Sequence, residues 1–264
     1  FELALAKKLN YLVDKSARNG EIGSVSQALQ LTPPVSNYGD IENRKQVGIM
    51  LYTRANYTSV TDPATGWRKT IYLKTGSEEV IKKQILETFT EIKFENNDYY
   101  FQYTDIIGKE WKLWSGKNGK PLERYRAKRG KDKNEYVIES YDVKALLDKL
   151  FEKFEKAESL KKQLEFGTEL TKVNEHTAWE KLRFVIDIIQ QIRNSGDTSK
   201  NQDDNFLLSP VRNEQGEYFD SRTATKTLPK DADANGAYNI ARKGIIMYEH
   251  IKKIGNNWNK KVKI

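Results

Sequence analysis

The chain has 264 residues, with 45 Lys and Arg against 37 Asp and Glu, a formal net charge of +8 and no cysteine. That length suffices for one large domain or two smaller ones with real cores, and the lack of cysteine excludes disulfides and a cysteine-based zinc ribbon. The positive balance favours an anionic partner, nucleic acid first among them; no apolar run reaches the roughly 20 residues that cross a bilayer, and no signal peptide is visible.

Phe1, Leu3, Ala4, Leu5, Leu9 and Leu12 form a helical apolar face over 1–14, with no initiator Met and no N-cap ahead of it. The chain is therefore expected to begin inside a helix, as a C-terminal piece of a larger polypeptide. Asn19-Gly20 with Gly23 marks a turn, and 28–31 is a short helical or extended run that Pro33-Pro34 ends. The nearly continuous apolar run at 47–52 suits a buried strand, although a helical segment fits the same residues. Asp62-Pro63-Ala64-Thr65-Gly66 predicts a turn. A helix is expected over 78–89, with Val80, Ile81, Ile85 and Phe89 on one side. Short strands follow at 92–94, 99–103 and 111–114, separated by Asn96-Asn97-Asp98 and Gly108. Asn118-Gly119 after a Trp-rich strand signals a hairpin. A long Lys/Glu-rich helix is predicted over 143–164, with Leu146, Leu147, Leu150, Phe151 and Phe154 on its core face, and an apolar helix over 179–192.

Positive charge is densest between 109 and 133, in Lys109, Lys112, Lys117, Lys120, Arg124, Arg126, Lys128, Arg129, Lys131 and Lys133, interleaved with Trp111, Trp114 and Tyr125. Cations that track phosphates, mixed with aromatics that stack on bases, are what a single-strand groove requires. A solvated hairpin whose aromatics face inward has the same pattern. Arg193 closes the 179–192 helix and precedes Asn194-Ser195-Gly196, which by local physics reads as a basic last turn and a C-cap. His176 and His250 sit apart and form no nucleophile or metal pattern.

The stretch 231–241 runs from an acid-rich opening into a helical pattern. Ala234, Ala237, Ile240 or Ala241, Ile245 and Tyr248 recur at the spacing of one buried helix face, which places Asp233 at or beside the N-cap. A carboxylate there can accept backbone N–H bonds and still offer an oxygen to a divalent cation. On spacing alone Asp at a helix start is more often a purely structural cap, and Asn235-Gly236 could instead close a hairpin.

Asp-Ala-Asp-Ala-Asn-Gly-Ala-Tyr-Asn-Ile-Ala-Arg-Lys-Gly at 231–244 resembles the third RuvC motif of type V CRISPR effector nucleases. More distantly, Asp-x-Asn-x-Ala-x-Asn-Ile at 233–240 resembles the motif of their transposon-encoded relatives. Further matches lie in order along the chain: Gln30-Leu31-Thr32, Tyr57-Thr58-Ser59 with Asp62-Pro63 and Thr65-Gly66, Gln191-Ile192-Arg193-Asn194-Ser195, Ser209-Pro210-Val211 and Phe219-Asp220-Ser221-Arg222. Together they resemble the type V-A effector family, Cas-twelve-a, over nearly the whole chain, least between about 75 and 175.

The resemblance implies an α/β (α+β) chain: a partial RNase H-like RuvC fold with an inserted mixed α/β Nuc domain. Residues 1–54 would be the RuvC segment after the second motif, 55–230 the Nuc domain, and 231–264 the third motif with a C-terminal helix. The catalytic Glu of the second motif would lie just upstream of residue 1, and the Asp of the first motif further upstream. Asp233 would be a ligand for Mg²⁺ or Mn²⁺, with Asp231 a turn residue or outer acceptor. Arg193 falls on the family's Nuc arginine, which would grip a scissile-strand phosphate, and Ser195 falls on a neighbouring polar position. Lys117, Lys120, Arg124, Arg126, Lys128 and Arg129 would guide the strand. Partners would be target DNA, a guide RNA held by the larger protein and the remainder of the RuvC domain, in a prokaryotic cytoplasm. With one acid of the metal set, the isolated chain is expected to be inactive. Where many relatives carry Asp four residues before the Ser-Pro, this chain has Asn205, with Asp203 and Asp204 just ahead. Two other readings share these features: a single-strand DNA-binding module without chemistry, and a transposon-associated nuclease without a guide.

Overall fold

A computed structural model describes residues 55–117, 120–121, 123–130, 136–174, 177–195, 205–225 and 227–254. The helix expected at 1–14, the turn at 19–23, the runs at 28–31 and 47–52, the Asn118-Gly119 turn, His176, Asp203 and Asp204 lie outside the described residues. The chain divides into two compact units, Ser59–Asn235 and Phe1–Thr58 with Gly236–Ile264.

The larger unit opens with α1 (Glu78–Thr88) and a three-stranded antiparallel sheet, β1 (Glu91–Glu95), β2 (Asp98–Thr104) and β3 (Glu110–Trp114), in that spatial order. Asn96 and Asn97 take φ of 52° and 62°, a left-handed pair that Asn tolerates and that suits the tight turn between β1 and β2. Both faces of β2 are buried. Tyr99, Phe101 and Tyr103 enter the main core, while Tyr100 packs with Trp114 and Tyr218. Two small hairpins follow: β4 (Gly116–Lys117) with β5 (Lys120–Pro121), then β6 (Glu123–Arg129) with β7 (Tyr136–Asp142).

The Lys/Glu-rich stretch is two helices rather than one, α2 (Val143–Leu150) and α3 (Leu160–Glu165). In one straight helix Leu160, nine residues beyond Phe151, would lie about two and a half turns further on and face the opposite side. Breaking the helix lets Phe151, Phe154, Leu160 and Leu164 all be buried. Ser159 restarts it by accepting a hydrogen bond from the Lys162 N–H at 3.2 Å. The next helix, α4 (Ala178–Ile189), opens with a capping box in which Thr177 and Glu180 satisfy each other's backbone N–H, at 3.3 and 3.2 Å. Its buried Leu182, Val185, Ile186 and Ile189 join residues of α1, α2 and the first sheet in one core. Each such side chain, fully buried, contributes about 1.5–3 kcal/mol.

A second sheet has the order β10-β9-β8, from β8 (Arg193–Ser195), β9 (Asn205–Arg212) and β10 (Tyr218–Asp220). After a 3₁₀ turn at Ser221–Thr223 the chain enters α5 (Ala232–Ile254), whose first residues belong to the larger unit and the rest to the smaller. The fold is therefore mixed α/β with every described strand pair antiparallel. Among the described residues no helix is long and apolar enough to cross a membrane.

Candidate functional site

At the entrance of α5 the cap is Asp231, not Asp233. The Asp231 carboxylate accepts the Ala234 N–H at 2.7 Å, and its carbonyl accepts that of Asn235 at 3.0 Å. Asp233 sits in the first helical turn, exposed, and its side chain takes part in no hydrogen bond or ion pair among the described residues. Its charge is favoured there by the positive end of the helix dipole.

The buried face of α5 also differs from the expected Ala/Ile stripe. Ala234, Ala237, Ile240, Ala241 and Ile245 are exposed, while Ala232, Asn235 and Asn239 are buried. Two asparagines face inward because their amides find backbone acceptors. Asn235 Nδ2 donates to Ser59 O at 3.3 Å and Thr61 O at 2.9 Å. Within the other unit, Asn239 Nδ2 donates to Thr58 O at 3.0 Å.

The turn that supplies Thr61 O is itself tied down. Asp62 is fully buried; its carboxylate accepts from Ala64 N (2.8 Å), Thr65 N (3.3 Å), Thr65 Oγ1 (2.7 Å) and, across the fold, Ser209 Oγ of β9 (2.7 Å). Gly66, at φ 76°, lets the turn close with the Gly66 N–H on Asp62 O at 2.9 Å. A continuous set of bonds thus runs from β9 through Asp62 and Thr61 to Asn235, and so fixes where Asp233 stands. The expected turn is present. The partnership of Asp62 with the Ser of Ser209-Pro210 spans 147 residues and leaves no local pattern to read.

Arg193 is not in a helical last turn. Helix α4 ends at Ile189 with Gln190 as its C-cap, and Arg193 begins β8, where it pairs with Leu207. Directly opposed residues of an antiparallel pair share a face. On that face Leu207 packs with Phe219 and with Ala232, the residue before Asp233. The second sheet therefore carries exposed Arg193 and the Asp233 helix entrance on one side. Ser195, two residues on, pairs with Asn205.

The basic hairpin is less available than its composition implies. Arg124 is 1% exposed and lies inside the protein, so it departs from the expectation of a strand-guiding cation. Burial pulls its guanidinium down to about 10. On the same strand face Arg126 lies 3.6 Å from Asp187, which also holds Lys69, and Lys128 lies 3.2 Å from Glu139. Arg129 is exposed. Lys117 and Lys120 oppose each other across the β4–β5 hairpin. The aromatics face inward or are covered. Trp114 is buried under the Arg212 guanidinium at 3.6 Å, Tyr125 meets Phe206 edge-on at 5.9 Å, and Trp111 carries Lys109 over its ring at 3.8 Å. Sequence reading missed a further cation, Arg222, which stacks on Phe206 at 3.8 Å and forks onto Asp220.

A carboxylate is a suitable hard-oxygen donor for Mg²⁺ or Mn²⁺, and Asp233 offers one with no competing partner among the described residues. Among the described residues no group of three or more His, Cys, Asp or Glu converges. The model of the RuvC nuclease domain family matches residues 1–264 of the chain.

Proposed function

We propose that this chain, which belongs to the RuvC nuclease domain family, is the nuclease part of an RNA-guided DNA endonuclease of the type V-A kind, with Asp233 as one metal ligand and Arg193 as the residue that holds the scissile strand. The observation that carries the reading is the shared sheet face. A carboxylate at a helix entrance, with no hydrogen-bond or ion-pair partner among the described residues, and an exposed guanidinium stand on the same side of β8–β9–β10, each on a backbone held by hydrogen bonds. A bound divalent ion would activate water and stabilise the leaving oxygen. Asp233 would anchor that ion with one oxygen, and the remaining carboxylates would come from outside the described residues. Arg193 would fork onto a phosphate and align it. Ser195 would add a polar contact beside it, with Arg129, Lys117 and Lys120 as outlying phosphate contacts. Residues 231–264 and the RuvC segment at 1–54 would belong to one RuvC fold, with the Nuc domain at 55–230 inserted; the remainder of that fold would cover exposed Ile240, Ile245 and Ile246. Target choice would rest on guide pairing in a prokaryotic cytoplasm.

The test is guide-dependent DNA cleavage in Mg²⁺ by the full-length protein, wild type against Asp233→Ala, with target affinity measured alongside. Loss of at least about 10³-fold in rate at unchanged affinity is expected for removal of a metal ligand in a two-metal centre. Undiminished cleavage would reduce Asp233 to a surface residue. Binding without cleavage in the wild type would favour the DNA-holding module, and cleavage without a guide the transposon-type nuclease.

A further inference from the structure

We infer that Arg124 and Asn194 are positioning residues for Arg193: a buried polar network, reaching from the hairpin strand β6 into the backbone on both sides of Arg193, sets the direction in which its guanidinium leaves the sheet. This rests on the reading of Arg193 given above.

Arg124 donates from one nitrogen, Nη1, to Gln191 O at 3.1 Å and Leu208 O at 2.6 Å. Asn194 has no solvent exposure; its Oδ1 accepts the Tyr125 N–H at 3.2 Å and its Nδ2 donates to Ile192 O at 3.2 Å. The same Ile192 carbonyl accepts the Leu208 N–H at 2.8 Å. Gln191 closes the ring by donating its side-chain amide to Tyr125 O. Every residue adjoining Arg193 is therefore bonded from outside its own strand, and Arg193 alone among them sends its side chain to solvent.

Stability does not explain this arrangement. A guanidinium held inside by two carbonyls, with Nη2 lacking a partner among the described residues, carries a desolvation cost that an apolar side chain of similar volume would avoid. What the cation supplies is direction: the two N–H bonds of one planar Nη1 reach two carbonyls, one before Arg193 and one on the opposing strand, and so set the spacing between them. A transition-state contact loses its effect when displaced by about 1 Å, so such bracing matters most for a residue that must meet a phosphate at a fixed angle.

The experiment uses the full-length protein and three near-isosteric changes. Asn194→Asp keeps the acceptor for Tyr125 N–H and removes the donor to Ile192 O. Arg124→Met removes both donors at similar volume, and Arg124→Lys keeps the charge without the fixed planar geometry of the guanidinium. Each is measured for cleavage rate at saturating DNA, for target affinity and for hydrogen exchange at the Leu208 amide, alone and with Arg193→Ala. Expected are a rate loss of about 10- to 100-fold at affinity changed less than about threefold, faster Leu208 exchange, and no further rate loss once Arg193 is Ala. Arg124→Lys should recover only part of the rate. The inference is overturned if the changes multiply with Arg193→Ala, which marks a general structural role, or if Asn194→Asp and Arg124→Met cleave like wild type. If Arg193→Ala alone is silent, the role given to Arg193 fails and this inference with it. Asp233→Ala, run beside it, shows separately whether the nuclease reading stands.

Discussion

Two acids at the entrance of α5 divide the work by position. Asp231 lies just before the helix, where its side chain folds back onto the Ala234 N–H, and Asp233, two residues on, is already helical and points its carboxylate to solvent. A cap contributes to stability directly, whereas an exposed first-turn acid gains only from the dipole. Asp231→Ala should therefore lower stability by about 0.5–2 kcal/mol, while Asp233→Ala should stay within about 0.5 kcal/mol, both read from chemical denaturation. The opposite order would make Asp233, not Asp231, the cap of the helix. The same division explains why the Asp233 phenotype is expected in catalysis and not in folding.

Helix α2 shows how an element is fastened to its neighbours by one titratable group. Asp148 accepts from Lys144 Nζ at 2.8 Å, Lys156 Nζ at 2.5 Å and Tyr99 Oη at 2.8 Å, tying α2 to β2 and to the turn before α3. Partial burial pushes its pKa up, but the bonds from Lys144, Lys156 and Tyr99 outweigh this and hold it below the ordinary carboxylate value. With a depressed folded pKa, its contribution is present above the unfolded value of about 3.9 and is lost as pH falls through the folded value. Asp148→Asn should reduce stability at neutral pH and flatten the fall in stability on acidification below about pH 4, as followed by denaturant midpoints across pH. An unchanged acid limb would remove Asp148 from the linkage. Elements of this kind were legible where their determinants are local: the apolar spacing of α1 and α4 and the Asn-rich turn of the first sheet mark themselves. The break between α2 and α3, the inward Asn235 and Asn239, and the buried Arg124 were not, because each depends on an acceptor or a core wall supplied from far along the chain.

For the molecule as a whole, the count of 45 Lys and Arg overstates the cations free to meet phosphates. Arg124 is buried, Arg126 and Lys69 share Asp187, Lys128 meets Glu139, and Arg222 is forked onto Asp220. Counterion release counts only cations that neutralise phosphates, at about 0.7 of an ion per contact on a single strand. A double change, Arg126→Ala with Lys128→Ala, should therefore leave single-stranded DNA affinity within about twofold and the slope of log affinity against log salt nearly unaltered, because each cation already has a protein carboxylate. Arg129→Ala, on an exposed position of the same strand, should lower that slope by about 0.7. Titrations of the full-length protein between about 50 and 200 mM salt separate the cases, since at the upper end the Debye length is under about 10 Å and remote charge effects are screened. If the double change lowers the slope by roughly 1.4, Arg126 and Lys128 must leave Asp187 and Glu139 when DNA arrives, and the hairpin face would then be a binding surface that the strand itself uncovers.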